Sequence, residues 1–353
     1  MAQNLITFEK ALKENYLPVW RNGLTTEPTA LLGKIKKVPL KSNKIVATAP
    51  VGLSGGFGFG AEGLATPAAG GVKFERFETN AKDMYVNIAI SAKAVRLTGN
   101  GGAMANALDT EVKAAYETAK WNVGRSLFGN GTGVLTEFNS LSNGVMTVDD
   151  TKYLKEGLIV DLTANDETET VAARIVSVDR VNKTVKVSYT GSAPSAFSGG
   201  YITVQNSHNR EITGLGAIFD ENIQTLYGVN KAQNKFIVPT VVDANTDIDD
   251  SVIWDAVEQA ETYKNSKIDT IMMGKAAYKH YIEYLRTNNV RVESMTKEIT
   301  GGFKAIDYAF GNRSIDVVYE QFIPDNEAWC VESGALELHT QEWKYTRRIF
   351  PYF

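Results

Sequence analysis

Cysteine and histidine are scarce: one cysteine and three histidines stand in 353 residues. Cys330 cannot close an intrachain disulfide alone, so the fold is expected to form in a reducing compartment without covalent staples. In the run Asn326-Glu327-Ala328-Trp329-Cys330-Val331 the thiol reads as a small apolar packing group. His208, His280 and His339 form no ligand-spaced cluster, and His280 precedes Tyr281-Ile282-Glu283 where a zinc helix would carry a second histidine. A structural or solvated role is expected for each, and no metal. Long apolar runs are also missing, because none approaches the roughly 20 residues needed to cross a bilayer. The start at Met1-Ala2-Gln3-Asn4 lacks the basic, apolar and small-residue order of a secretion signal. A chain that neither spans a membrane nor is exported is expected. A surplus of positive charge is absent too. With 37 basic and 41 acidic side chains the net charge is -4, which excludes the strongly positive field of a free-standing nucleic-acid binder.

Several catalytic signatures are absent. There is no Gly-x-x-x-x-Gly-Lys-Ser/Thr loop, and the glycines between 52 and 63 lack both the lysine and the following helix that hold phosphates. No Gly-x-Ser-x-Gly elbow presents a serine. Asp249 and Asp250 could serve acid and base chemistry, but their adjacency suits helix capping better. No catalytic residue, cofactor or metal is assigned, and the protein is not expected to be an enzyme. The alternative of an α/β hydrolytic or carbohydrate-active enzyme would need acids gathered by tertiary structure.

What is present divides the chain by period. Residues 1–45 read as an N-terminal arm, with a short helix from Leu5 to Leu17 ended by Pro18. Lys34, Lys36, Lys37, Lys41 and Lys44 follow with no acid between Glu27 and Glu62. They read as a solvated arm or as a face turned to nucleic acid or an acidic partner. In residues 46–97 a glycine-rich stretch, with Phe57 and Phe59 among the glycines of 52–63, is too costly to order and too poor in side chains to pack its own core. Strand alternation over Val72–Glu78 and Met84–Leu97 predicts a hairpin that projects from the body. Residues 98–143 hold a long helix from about Ala103 to Leu127, striped by Leu108, Val112, Ala115, Ala119 and Val123. Phe128-Gly129-Asn130-Gly131 stops it.

From 144 to 205 the period falls to two, predicting a small antiparallel β insert with its own core. Its strands are expected at 158–162, 171–178, 184–189 and 201–204, with Asp179–Lys183 as a hairpin turn. Residues 206–330 alternate helix and strand, with a helix capped at Asp249 or Asp250 that buries Ile253, Val257 and Ala260, a strand at Ile268–Met272 and a helix at Ala276–Leu285. Residues 331–353 close with a strand and an aromatic tail. There Trp343, Tyr345, Phe350, Tyr352 and Phe353 interleave with Lys344, Arg347 and Arg348, a mixture expected to dock on its own domain or a neighbour. The class is α+β.

The order of these pieces resembles the HK97-like major capsid family of tailed bacteriophages. The likeness is carried by the extended loop, by Gly101-Gly102-Ala103-Met104-Ala105-Asn106-Ala107-Leu108-Asp109, by Trp121-Asn122-Val123-Gly124-Arg125-Ser126-Leu127-Phe128-Gly129-Asn130-Gly131, by Leu215–Asp220 before Leu226-Tyr227-Gly228, and by Gly301-Gly302-Phe303-Lys304-Ala305-Ile306. The resemblance implies an HK97-like capsid fold with a long spine helix, an extended β-hairpin loop, axial and peripheral domains and a small β-rich insert. It implies a coat protein in pentamers and hexamers of an icosahedral head, in a virion assembled in the bacterial host cytoplasm, or by alternative an encapsulin-like shell. Expected partners are a separate scaffold protein, a portal protein, a decoration protein and double-stranded DNA held without sequence specificity. Phe57, Phe59, Lys73, Tyr345 and Phe350 are the intersubunit contact candidates, and Lys34, Lys36, Lys37, Lys41 and Lys44 would face DNA. Lysine-to-asparagine crosslinking is not carried over to Lys73, which is read as solvated or salt-bridged.

Overall fold

The computed structural model describes residues 23–24, 28–52, 55–60, 68–88, 101–167, 169–189, 197, 199–244, 248–288, 296–299 and 303–341, with the backbone alone for 101–109 and 299. The helix expected at Leu5–Leu17, the strand residues 89–97, and Tyr345 and Phe350 with the rest of the aromatic tail lie outside these. The chain parts into two units, one of residues 1–124 with 221–353 and one of residues 125–220.

The first unit begins with α1 (Ala30–Lys34), whose start is capped by Thr29 accepting the Leu32 N–H at 3.4 Å. β1 (Lys36–Pro39) follows, and then β2 (Lys44–Val51) and β3 (Lys73–Asn80) pair antiparallel from Lys44↔Asn80 to Val51↔Lys73. The Ala81 N–H donates to the Asn43 carbonyl at 2.8 Å, so the odd-numbered residues of β2 bond to β3 and the even-numbered ones turn their backbone groups outward. Pro50, which has no N–H to give, sits at an outward position and takes nothing from the ladder. Past the strands the two backbones nearly touch: a Cβ on Gly70 would lie 2.7 Å from the Gly55 Cα. Glycine is required there by contact, beyond its role in loosening a loop. The hairpin therefore exists, but β3 pairs with β2 and not with a strand from Met84, and 84–88 carry no strand. Alternation in Lys44–Val51 is hard to read because Val46 and Pro50 place apolar groups on the same face as Lys44 and Thr48.

α2 (Gly101–Phe128) is the long helix, 28 residues and about 42 Å at 1.5 Å per residue. Val112 and Ala119 are buried along it. A Cβ on Gly124 would lie 2.5 Å from the Phe322 ring, which also meets Trp121 edge-on at 6.4 Å between centroids.

The second unit is a closed barrel of β4 (Val134–Ser142), β5 (Val145–Val148), β6 (Ile159–Ala164), β7 (Thr170–Asp179), β8 (Thr184–Tyr189) and β9 (Gly200–Val204). The order is β4-β5-β8-β7-β6-β9, every pair antiparallel, with β9 returning to β4. Asn143 and Gly144 turn β4 into β5 with φ of 51° and 73°, the two left-handed residues of a tight hairpin turn. Inward residues Met146, Val160, Leu162, Ile175, Val185 and Ile202 are almost wholly sealed from solvent. At Gly200 a Cβ would stand 2.1 Å from the Thr163 carbonyl, so the strands can close only around a glycine. α3 (Leu215–Phe219) ends the unit.

The first unit resumes with β10 (Thr225–Leu226) and β11 (Val229–Asn230), a small hairpin turned at Tyr227 and Gly228. The Tyr227 carbonyl accepts the Glu78 N–H at 2.7 Å and so ties down β3. Then come α4 (Asp250–Lys264), β12 (Thr270–Met273), α5 (Lys275–Thr287), β13 (Thr296–Ile299), β14 (Phe303–Phe310), β15 (Arg313–Tyr319), β16 (Ala328–Val331) and β17 (Glu337–Thr340), which lies parallel to β1. β13-β14-β15-β12-β16 form a mixed sheet around fully buried β12. Ile253 and Val257 from α4 and Tyr281 and Leu285 from α5 pack on Ile271, Ile306, Ile315 and Val317.

This is not the HK97-like capsid fold that the resemblance implies. A closed six-stranded barrel stands where a small insert was expected, and a five-stranded mixed sheet with two helices is the other core. A long helix and a glycine-rich hairpin are elements that many folds carry. Their order along the chain says nothing of which strands pair, and pairing is what separates these architectures.

Candidate functional site

Large apolar side chains in water stand out at the β2–β3 hairpin. Phe57 is 84% and Phe59 96% exposed, and their rings meet edge to face at 5.3 Å. Phe74 and Val46, at 63% and 46%, lie on one face of the hairpin, since Pro50↔Phe74 and Val46↔Glu78 are cross-strand pairs of the same parity. The opposite face is held: Phe77 packs edge-on against Phe236 at 6.4 Å. The hairpin is anchored at its root and presents aromatic rings beyond it.

Charges line the same element. Lys73, expected to be solvated or salt-bridged, pairs with Glu75 and donates to the Asn234 side chain at 3.3 Å while its side chain stays largely exposed. Lys44 and Arg76 both pair with Glu78; the Lys44 hydrogen bond, then the Arg76 charge, hold the Glu78 carboxyl below its ordinary range. The arm lysines do not share one face. Lys34 reaches Asp316 at 2.5 Å and the Thr270 hydroxyl at 2.7 Å, Lys36 reaches Glu337 at 2.7 Å, and Lys37 and Lys41 lie exposed.

Asp249 is the N-cap of α4, its carboxylate accepting the Val252 N–H at 2.9 Å and the Ser251 hydroxyl at 2.8 Å, which keeps its pKa low. Asp250 moves the other way: burial, then the neighbouring Asp249 charge, raise its carboxyl. Burial likewise pushes the Tyr308 hydroxyl up to about 12 and the Cys330 thiol up to about 12, leaving Cys330 a neutral packing group on β16. An open hollow of about 400 Å³ beside Asp249 is lined by His280, Glu283, Tyr284 and Asn288. Glu283 there pairs with Lys279. The His208 ring lies tilted against Tyr201 at 4.8 Å between centroids, and His339 lies 3.3 Å from Glu337. Among the described residues no three His, Cys, Asp or Glu side chains are arranged to hold a metal ion, and no helix is long and apolar enough to cross a membrane.

A second exposed aromatic group escaped the sequence reading. Trp254, 43% exposed, lies 4.4 Å between centroids from Phe310, and Arg313 stands over the Phe310 ring at 5.5 Å while pairing with Glu261. Its signal was present: Trp254 falls off the Ile253, Val257, Ala260 stripe that points α4 inward.

No protein-family model, no curated protein and no solved structure matches the chain. The capsid and encapsulin readings are corrected on the architecture itself, a closed six-stranded barrel in one unit and a five-stranded mixed sheet with two helices in the other.

Proposed function

We propose that this protein acts by binding rather than by turnover, and that the end of the β2–β3 hairpin is its contact surface for another polypeptide, a second copy of the chain. The exposure of Phe57 and Phe59 carries the proposal. Aromatic side chains bury about 150 Å² or more apiece. At about 25 cal/mol per Å² that is roughly 4 kcal/mol per ring before the cost of association. A pair of phenyl rings held in water by an anchored hairpin is thus a strong drive towards a partner. Glycine neighbours let a partner's backbone approach closely.

Sedimentation across a concentration series tests this. Average mass should rise with concentration for the wild-type chain, and Phe57→Ala/Phe59→Ala should need at least tenfold more protein for the same mass, with thermal unfolding unchanged. A wild-type chain that stays monomeric, or a double variant that associates equally well, overturns the reading.

A further inference from the structure

We infer that the hairpin end meets the same hairpin end of the second copy across a two-fold axis, so that the assembly closes as a dimer. This rests on the hairpin contact proposed above and names the surface that receives it.

The hairpin end is apolar and carries no uncompensated charge. All three exposed phenylalanines among the described residues, Phe57, Phe59 and Phe74, stand on this one element. From the Pro50↔Phe74 pair outward, the described residues carry a single charged side chain, Lys73. By strand parity Lys73 turns to the face opposite Phe74, where it reaches Glu75 and the Asn234 side chain. Nearer the root, Lys44 and Arg76 are both paired with Glu78. Two copies can therefore bring these ends together without setting an unpaired charge against its like, the usual obstacle to contact between identical surfaces.

Ring geometry suits a partner of the same kind. Phe57 and Phe59 meet at 75° between planes, so the exposed pair presents both a ring edge, which is positive, and a ring face, which is negative. A two-fold axis sets edge against face twice, once from each copy. Other surfaces of the chain offer less. On the barrel, Val145 and Ile159 are exposed but lie across from the exposed cations Lys186 and Arg174, and on α4 Trp254 is partly covered by Phe310.

Area sets the strength. At roughly 150–250 Å² per aromatic side chain, the exposed parts of the three rings amount to about 350–600 Å² per copy. Two copies bury about 700–1,200 Å² in this way, near the about 1,000 Å² that a specific interface needs and under the common size of about 1,600 Å². The dimer therefore forms and parts with concentration. Because one contact occupies both hairpin ends, nothing remains to recruit a third copy.

Charge placed on the rings tests the two-fold axis. In Phe57→Lys/Phe59→Lys, and equally in Phe57→Glu/Phe59→Glu, each hairpin end faces its like, so either variant alone should need at least tenfold more protein than wild type to dimerise. An equal mixture should dimerise at least tenfold more readily than either variant alone, because only across a two-fold axis do these same positions meet each other. Native mass spectrometry distinguishes the mixed pairs by mass, and thermal unfolding like that of wild type shows that both variants fold. In sedimentation the wild-type mass should rise to twice that of the chain and stop there. If wild type associates but the mixture gains nothing over the separate variants, or if the wild-type mass climbs past the dimer, the hairpin reading stands and this inference falls. If wild type stays monomeric, or either charged variant alone associates as wild type does, the hairpin reading itself fails.

Discussion

The barrel and the β2–β3 hairpin are both antiparallel, yet they solve opposite problems. Barrel strands alternate so that one face of each meets a shared interior, where Leu162 and Ile202 are wholly buried, and the ring leaves no strand edge. The hairpin has two strands and no interior of its own. One face leans on Phe236 and the other holds Val46 and Phe74 in water. Similar backbone pairing thus gives a self-sufficient body in one region and, in the other, a surface that completes its packing elsewhere.

Mutations can break or sharpen this contrast. Ile202→Ala should cost about 2–5 kcal/mol in denaturant unfolding, because the closed wall cannot collapse onto the void. Next, Gly200→Ala places a methyl on the backbone of β6 and should cost roughly 1–3 kcal/mol, an overpacking penalty that no rotamer change relieves. Asp249→Ala should remove about 1 kcal/mol with the α4 cap. Since the folded Asp249 pKa is depressed, its charged cap stabilises above the ordinary value of about 3.9 and is lost as pH falls through the lower folded value. Thermal unfolding in acid should therefore converge for the two proteins.

Asp250 has the reverse sign. Its folded pKa is raised, so the fold is favoured while the carboxyl is protonated and loses that contribution as pH climbs from about 4 through the folded value. Asp250→Asn should raise the neutral-pH melting temperature slightly and flatten its decline between acid and neutral pH. Smallest of all, Phe57→Ala or Phe59→Ala should change stability by less than about 0.5 kcal/mol. A loss as large as that of Ile202→Ala would mean that the hairpin owns a core, and the contrast would collapse.

Elements with one strong period were legible in the residues. The long helix, α4 with its Asp249 cap, α5 and four barrel strands lie where alternation or the three-to-four stripe predicts them. Two barrel strands were not foreseen, although Asn143-Gly144 between Leu141 and Val145 is a strong hairpin signal and would have extended the β region back to Val134. β1 and β2 were missed because their faces are at most half buried and apolar groups fall on both sides, and β13 because its Thr-Lys-Glu-Ile run carries one apolar residue and shows no alternation. Ring closure itself depends on β9 returning to β4, a long-range pairing that local alternation does not encode. At the candidate site, Phe57 and Phe59 stood out through their glycine neighbours. Trp254 is conspicuous only once Phe310 and Arg313 come to it from another part of the chain.

Pro50 has a consequence for how this protein behaves when concentrated. Among the described residues β2 offers its outer edge to no strand, and the outward positions run Lys44, Val46, Thr48, Pro50. An incoming strand would find a charged side chain at one end and a missing amide at the other, with donors only at Val46 and Thr48 between them. Growth of a sheet by strand addition at the outer edge of β2 is thereby discouraged.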